Sequence, residues 1–335
     1  MPSTKFMTLE RFITEQELLH PEATGKFSGL LHDLSLAAKL VWREVNKAGL
    51  VNILGSTGRM NASGDVVKKL DEFADETIYR AMDHGGHLCV MASEENEDIL
   101  HIPAEYPEGK YVLLYDPLDG SSNIDANITI GSIFSVYRRV TPSGKGTMAD
   151  CLQQGFKQEA AGYVIYGTST MFVYSSGHGV HGFTLDPTVG EFLLSHENIR
   201  MPKRGGIYSL NEGNFMKWGP PMQRFIQHLK ESDTATGRPY SLRYIGSMVG
   251  DIHRTLLYGG FFAYPGDRTN PEGKLRLMYE CNPMAYIVEQ AGGRAVDGRQ
   301  RILEVQPTSL HQHTPFFVGS EEDVKLCEEF LQEKR

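Results

Sequence analysis

Cysteine is scarce: four residues in 335 (Cys89, Cys151, Cys281, Cys327), far apart and without a Cys-x-x-Cys pair. A disulfide framework and a zinc ribbon are thereby excluded, and isolated reduced thiols are expected. Long apolar runs are missing too. The longest, such as Val112-Leu113-Leu114-Tyr115, cover a handful of positions against the roughly 18 needed to span a bilayer. At the N-terminus, MPSTKFMTLERFITEQELLH mixes acids and bases and has no apolar core followed by a cleavage site, so a cytoplasmic protein without a membrane partner is expected. Positive charge is in deficit, 33 Lys and Arg against 42 Asp and Glu, a net charge of -9. That sign argues against nucleic acid as a partner. No internal repeat or low-complexity tract is present. What is there, 40% hydrophobic and 22% charged residues, suits a globular chain of about two domains. Such a chain binds phosphates only where it gathers cations, helix N-termini or metal ions at one spot.

Apolar residues at Phe27, Leu30, Leu31, Leu34, Ala38, Val41 and Val45 predict an amphipathic helix stopped by Gly49. A second helical pattern runs from Val66 and Val67 through Leu70, Phe73, Ala74, Ile78 and Ala81 to Gly85-Gly86, with the mobile connector LGSTGRMNASG between the two. Short apolar runs at Leu88 to Ala92, Tyr111 to Tyr115 and Ser132 to Tyr137 predict buried strands. From Gly162 to Leu194, runs separated by Gly-Ser, Gly-His-Gly and Asp-Pro predict an antiparallel meander. Met201-Pro202-Lys203-Arg204-Gly205-Gly206 reads as a linker into a second block of mixed elements. In that block Asn282-Pro283 is expected to cap and start a helix, and Ser320-Glu321-Glu322-Asp323 to form a capping box.

The strongest chemical signal is Asp116-Pro117-Leu118-Asp119-Gly120-Ser121-Ser122, where the strand KYVLLY ends. Two carboxylates three residues apart, then Gly and two Ser, suit a hard divalent cation held by oxygens beside backbone N–H groups that hold a phosphate. A second acidic pair, in Ser93-Glu94-Glu95, ends the preceding strand HLCVMA. If the two strands pair in parallel, one of these glutamates lies beside Asp116 and Asp119. Carboxylates about 4 Å apart repel by about 4 kcal/mol per pair at an effective dielectric near 20, so the cluster needs cations. Further on, Lys274 and Arg276 alternate and would share one strand face for phosphate recognition, with Glu280 close enough to join the acidic cluster. His253 has no second histidine at ligand spacing and is expected to be packed or hydrogen-bonded.

GDVVKKLD, ASEE, DPLDGSSNID, SLNEGN, RYIGSMVGDIHR, GKLRLMYECNPMAY and EQAGG, in that order, resemble class I fructose-1,6-bisphosphatases, especially the bacterial ones, from about Thr24 to the C-terminus. The resemblance implies an α/β fold of the layered αβαβα sugar-phosphatase type. It implies an N-terminal allosteric and metal-site domain (1–200) and a C-terminal sugar-bisphosphate-binding domain (201–335). It further implies homotetramers, and magnesium-dependent removal of the 1-phosphate of fructose 1,6-bisphosphate in gluconeogenesis, with two or more Mg²⁺ per subunit and Mn²⁺ or Zn²⁺ as substitutes. Carried over by motif, Glu94, Asp116, Asp119, Glu280 and the Leu118 carbonyl would hold the metals, approached by Asp65 when the connector closes. Asp71 with Glu95 would orient and deprotonate the attacking water. Gly120, Ser121 and Ser122 would hold the reacting phosphate; Asn211, Tyr244, Tyr264, Lys274 and Arg276 would bind the substrate, with Arg243 entering from a neighbouring subunit. Thr24, Gly25, Lys26, Ser28, Lys110, Tyr111 and Arg138 would form a site for AMP as inhibitor.

The chain departs from animal relatives at Asn214-Phe215, where they present a tyrosine to the 6-phosphate, and at Phe27 and Ser28 beside the nucleotide site. The cysteine-bearing insertion of chloroplast forms is absent, so thioredoxin control is not expected. Sedoheptulose bisphosphate and inositol phosphates stay open as alternative substrates. A non-catalytic phosphosugar sensor is the alternative of another class, and the retained carboxylates argue against it.

Overall fold

Three helices open the chain: α1 (Leu9–Glu17), α2 (Lys26–Val45) and α3 (Lys69–Met82), with a short hairpin of β1 (Ser56–Met60) and β2 (Val66–Lys68) between the last two. The structure, a computed structural model, describes residues 6–18, 25–47, 50, 55–60 and 66–332. The apolar stripe of α2 behaves as its spacing predicts, with Leu30, Leu31, Leu34, Ala38 and Val41 buried. α3 starts three residues later than its apolar pattern suggests. Val66 and Val67 are β-branched and lie in β2, and the Asp71 carboxylate at the third helical position takes the Lys68 N–H at 2.8 Å.

The next strands are β3 (Leu88–Ser93), β4 (Leu100–His101), β5 (Tyr111–Asp119) and β6 (Ile130–Arg138). After the short α4 (Met148–Cys151) come β7 (Gln158–Tyr166), β8 (Thr170–Ser175), β9 (Val180–Asp186) and β10 (Glu191–Ile199). Together β3 to β10 make one eight-stranded sheet in the order β10-β9-β8-β7-β6-β5-β3-β4. β3 and β5 pair in parallel; the other neighbours, including the predicted meander, are antiparallel.

The rest of the chain supplies β11 (Ile207–Ser209), α5 (Pro220–Lys230), β12 (Ser241–Leu242), α6 (Met248–Tyr258), β13 (Phe261–Tyr264) and β14 (Leu275–Arg276). It closes with α7 (Asn282–Gln290), β15 (Arg294–Val296), β16 (His313–Thr314), β17 (Phe316–Gly319) and α8 (Glu321–Gln332). β14 pairs with β16, and the other five strands form a second sheet in the order β12-β11-β13-β17-β15.

The burial pattern stacks these elements in five layers. Along β5, Leu113 and Tyr115 face a core shared with α1, α2 and α3, while Val112 and Leu114 face a core shared with α6 and α7. That second core continues into Phe262, Phe316 and Val318 of the smaller sheet, whose opposite face, through Phe261, Ala263 and Phe317, packs on α5 and α8. The order is helix, sheet, helix, sheet, helix, as expected. Because both faces of β5 are covered, its sequence is apolar from Tyr111 to Tyr115 and not alternating.

Two expected helix starts differ. Asn282 is the first residue of α7 and not its cap, because a π-helical turn over Leu277–Cys281 runs straight into the helix and the Asn282 side chain is buried, while Pro283 stands in the first turn as expected. Ser320 does not complete a capping box. Its hydroxyl donates to the Pro202 carbonyl and accepts the Gly260 N–H, and Asp323 accepts from Gly205 N and the Tyr240 hydroxyl, so this stretch ties α8 to the linker. All four cysteines are buried and unpaired. No described helix is long and apolar enough to cross a membrane.

Candidate active site

Parallel pairing of β3 with β5 places Ser93 opposite Tyr115, so the acidic turn after β3 meets the Asp-Pro-Leu-Asp end of β5. Glu94 is tucked in, 8% exposed, and its N–H donates to the Tyr115 carbonyl at 3.1 Å. The π-helical turn before α7 delivers Glu280 from the other half of the chain. Carboxylate oxygens of Asp116, Asp119 and Glu280 lie within 4.8 Å of one another, all three residues buried. The donors are hard oxygens with no thiol or imidazole among them, which fits a hard divalent cation.

A cavity of about 400 Å³ opens on this cluster, and Asp71, Glu94, Glu95 and the segment Leu118 to Ser122 line it. Gly120 takes a positive φ of 80°, and a Cβ there would come within 2.9 Å of Ser247, so only glycine lets the turn pass under α6. A 3₁₀ turn, Ser121–Ala126, follows and begins at the cavity wall.

Burial raises every carboxyl of the cluster. Glu94 moves up to about 7 and Glu280 up to about 8, with Arg276 pulling both back. Asp116 lies well above the usual carboxylate range. Asp119 rises to about 6 even though its Oδ2 accepts the Ser247 hydroxyl at 2.9 Å and the Val249 N–H at 2.8 Å. Asp71, whose Oδ1 is buried without a hydrogen-bond partner among the described residues, is pushed up to about 7 by burial. Asp65 lies outside the described residues.

Arg276 does not share a face with Lys274 as the alternation suggested. β14 is only two residues long; Arg276 is buried and pairs with Glu94 at 2.8 Å and Glu280 at 3.7 Å, whereas Lys274 is exposed. A buried set of carboxylates draws in the nearest guanidinium, and strand alternation has no register to act on. Sequence reasoning also missed Lys68, which lines the cavity and pairs with Asp125 at 2.6 Å. It missed Ser247 as a donor to Asp119, although Ser before an apolar helix run does signal the N-cap that it is.

Away from the acids, Asn211, Asn214 and Tyr264 line a small hollow with Trp218 and Asp267. Asn214, the residue in the tyrosine's place, accepts a hydrogen bond from Lys217 Nζ at 3.0 Å and so brings a cation to this region. Tyr244 stands nearby, its phenol pushed up to about 12 by burial and then by Tyr264. Arg243 is exposed beside the edge strand β12 and donates to the Leu242 carbonyl at 2.9 Å. The loop that follows them is held by Asp251, which accepts the N–H groups of Ile245 and Gly246 and pairs with Arg254.

A separate cavity of about 260 Å³ lies at the start of α2, lined by Gly25, Ser28, Lys110, Tyr111 and Arg138. Lys26 turns away to the Gly86 carbonyl, at 3.4 Å, and Thr24 lies outside the described residues. Two acids that the sequence reading did not single out complete this cavity. Glu159 pairs with Arg138, which sits 5.7 Å over the Tyr111 ring, and Glu17 accepts the Ser28 hydroxyl. His253 is packed as expected, 2.8 Å from the Tyr163 hydroxyl, and burial lowers it to about 4.

The family profile described as Fructose-1-6-bisphosphatase, N-terminal domain, matches residues 7–197, and the one described as Fructose-1-6-bisphosphatase, C-terminal domain, matches residues 201–332. A Chloroherpeton thalassium protein named fructose-1,6-bisphosphatase class 1 is 60% identical over 327 residues, covering 97% of this chain and 93% of its own length. One of the same name from Chlorobium phaeobacteroides is 57% identical over 330 residues, covering 98% and 99%. The crystal structure of Leishmania major fructose-1,6-bisphosphatase in holo form superposes with a TM-score of 0.92 at 44% identity, covering 97% of this chain and 99% of that one. With both halves matched and the identity sustained along nearly the whole length, the chain belongs to the class 1 fructose-1,6-bisphosphatase family.

Proposed function

We propose that the protein hydrolyses the 1-phosphate of fructose 1,6-bisphosphate to fructose 6-phosphate and inorganic phosphate. The observation that carries this reading is the buried cluster of Asp116, Asp119 and Glu280 beside the Gly120 turn. The family depends on a divalent metal, and Mg²⁺ is our assignment, two or more ions per subunit, with Mn²⁺ or Zn²⁺ as substitutes. Glu94, Asp116, Asp119, Glu280 and the Leu118 carbonyl would hold the metal. Such an ion neutralises phosphate charge, lowers the pKa of bound water and stabilises the leaving alkoxide.

The chain's own residues supply position and proton transfer. Backbone N–H groups at Gly120, Ser121 and Ser122 grip the reacting phosphate against the cavity wall. Asp71 and Glu95 orient a water on the far side of phosphorus, and Asp71, whose carboxyl titrates near neutrality, takes its proton. The water oxygen bonds to phosphorus, the bond from phosphorus to the C1 oxygen breaks, and the C1 oxygen leaves as an alkoxide that takes a proton from solvent, while Asp71 returns the proton it accepted to solvent, so that no proton is gained or lost overall. Asn211, Tyr244, Tyr264 and Lys274 hold the sugar and its 6-phosphate, and that remote grip fixes the orientation of the reacting end. Arg276 acts here through the acids that it pairs with.

We assign residues 1–200 to the metal and regulatory half and 201–335 to the sugar-bisphosphate half. Arg243 reaches the 6-phosphate of a neighbouring subunit in a homotetramer. The cavity at the start of α2 takes AMP as inhibitor. Phosphate release from fructose 1,6-bisphosphate, sedoheptulose 1,7-bisphosphate and an inositol monophosphate, each with and without Mg²⁺, tests the central assignment. The fructose substrate with Mg²⁺ should be turned over fastest. Preference for either alternative would reassign the substrate, and no release from any would leave a sensor.

A further inference from the structure

We propose that Asp75 is a positioning residue that sets the Glu94-Glu95 turn against the helix carrying Asp71; this rests on the phosphatase reading of the site. Asp71 and Asp75 are four residues apart on α3 and therefore lie on one helix face about 6 Å from each other. Asp71 faces the cavity, and Asp75, one turn further on, uses both carboxylate oxygens on the acidic turn. Its Oδ1 accepts the Ser93 hydroxyl at 2.5 Å and its Oδ2 accepts the Asn96 side-chain amide at 2.9 Å. Ser93 and Asn96 bracket Glu94 and Glu95.

The turn is otherwise held from within and from the opposite side. Glu95 N donates to Ser93 Oγ at 3.3 Å, and Asn96 N donates to the Ser93 carbonyl at 3.2 Å. From the C-terminal half, His311 Nε2 lies 2.9 Å from the Asn96 carbonyl. Two charge-assisted hydrogen bonds from one side chain to both ends of a four-residue turn transmit any shift of α3 to the two glutamates. The proton acceptor on α3 and the acids after β3 thus move as one body. Asp75 is not among the residues that line the cavity; it acts through Glu94, Glu95 and Asp71.

The test compares full-length wild type with Asp75→Ala, Asp75→Asn and Ser93→Ala, all saturated with Mg²⁺. Asp75→Ala should lower kcat by about tenfold or more with KM for the bisphosphate changed less than about twofold, since the grip on the sugar is untouched. Asp75→Asn should recover most of the lost kcat, because its amide oxygen still accepts from Ser93 while Asn96 turns its own amide oxygen toward the new donor. Ser93→Ala should cost less than Asp75→Ala, and the two together no more than Asp75→Ala alone, the mark of one shared interaction.

Two further readouts do not depend on turnover. Mn²⁺ titrated without substrate should bind several-fold more weakly to Asp75→Ala, and hydrogen exchange should quicken at residues 93–97 while β5 and α7 keep their protection. The proposal is overturned if Asp75→Ala keeps kcat and Mn²⁺ affinity within about twofold of wild type. It is also overturned if protection is lost across the whole chain, for Asp75 would then be a general stabiliser. Should wild type release no phosphate from any sugar bisphosphate, the function assigned above fails, and Mn²⁺ affinity with local exchange still decides whether Asp75 holds the turn.

Discussion

Asp119 is held by donors from the opposite half of the chain, the Ser247 hydroxyl and the Val249 N–H at the start of α6, while burial pushes its carboxyl up to about 6. Both bonds end on one oxygen, so an amide oxygen in its place still accepts them but carries no charge for a metal. Asp119→Asn should therefore lower kcat by about a hundredfold or more in excess Mg²⁺, measured by phosphate release. The melting temperature of the metal-free protein should hold or rise, since one buried charge is gone. Turnover near normal would remove Asp119 from the site. The residue's place in the acidic cluster was legible in the motif, because Asp-x-x-Asp-Gly-Ser-Ser at the end of an apolar strand is a local pattern. Its supports were not, since Ser247 lies 128 positions away and nothing local to either segment announces the contact. Arg276 fails differently: its strand is two residues long, too short for alternation to set a face, and long-range charge decides.

At the scale of elements, the strands were the most legible. β3, β5 and β6 lie between two helical layers, so each reads as an apolar run that periodicity locates. Junctions were less so. The π-helical turn over Leu277–Cys281 has no signature in residue type, yet it aims Glu280 into the cluster, and the valines before α3 suit a strand as well as a helix. α2 carries a prediction of its own. The cavity at its start holds Arg138 already paired with Glu159, both contacts at 3.2 Å, so a nucleotide phosphate must compete with a resident carboxylate. Arg138→Ala should keep near-normal activity without AMP and require about tenfold more AMP for half-inhibition. Glu159→Gln should shift the curve the other way by freeing the guanidinium. If wild type ignores millimolar AMP, or both curves overlay wild type, the cavity does not bind this nucleotide.

The whole molecule joins its halves at the acid cluster: Glu94, Asp116 and Asp119 come from the end of the large sheet, and Glu280 and Arg276 from the C-terminal block. Away from the cluster Arg243 stands exposed beside a sheet edge. If a neighbouring subunit's site uses it, Arg243→Ala should raise KM several-fold with kcat little changed, because the remote phosphate is bound alike in ground and transition states; an unchanged KM would withdraw that role. The cluster itself makes stability depend on pH. Burial raises Glu94 to about 7 and Glu280 to about 8 from an ordinary 4.5, and Asp119 to about 6 from 3.8. In the absence of metal the folded protein therefore holds these protons more tightly than the unfolded chain. A group of this sign supports the fold at low pH, and its contribution is lost as pH climbs from the unfolded value through the folded one. Metal-free protein in EDTA should accordingly lose stability, on the order of a few kcal/mol, between about pH 5 and pH 8. A divalent cation binds the ionised carboxylates and reverses the slope, so the gain in melting temperature on adding Mg²⁺ should be larger at pH 8 than at about pH 5.5. Asp119→Asn should shrink that gain at both pH values. Equal Mg²⁺ stabilisation across the range would mean that these acids are already ionised without metal and that the cluster is compensated by charges elsewhere.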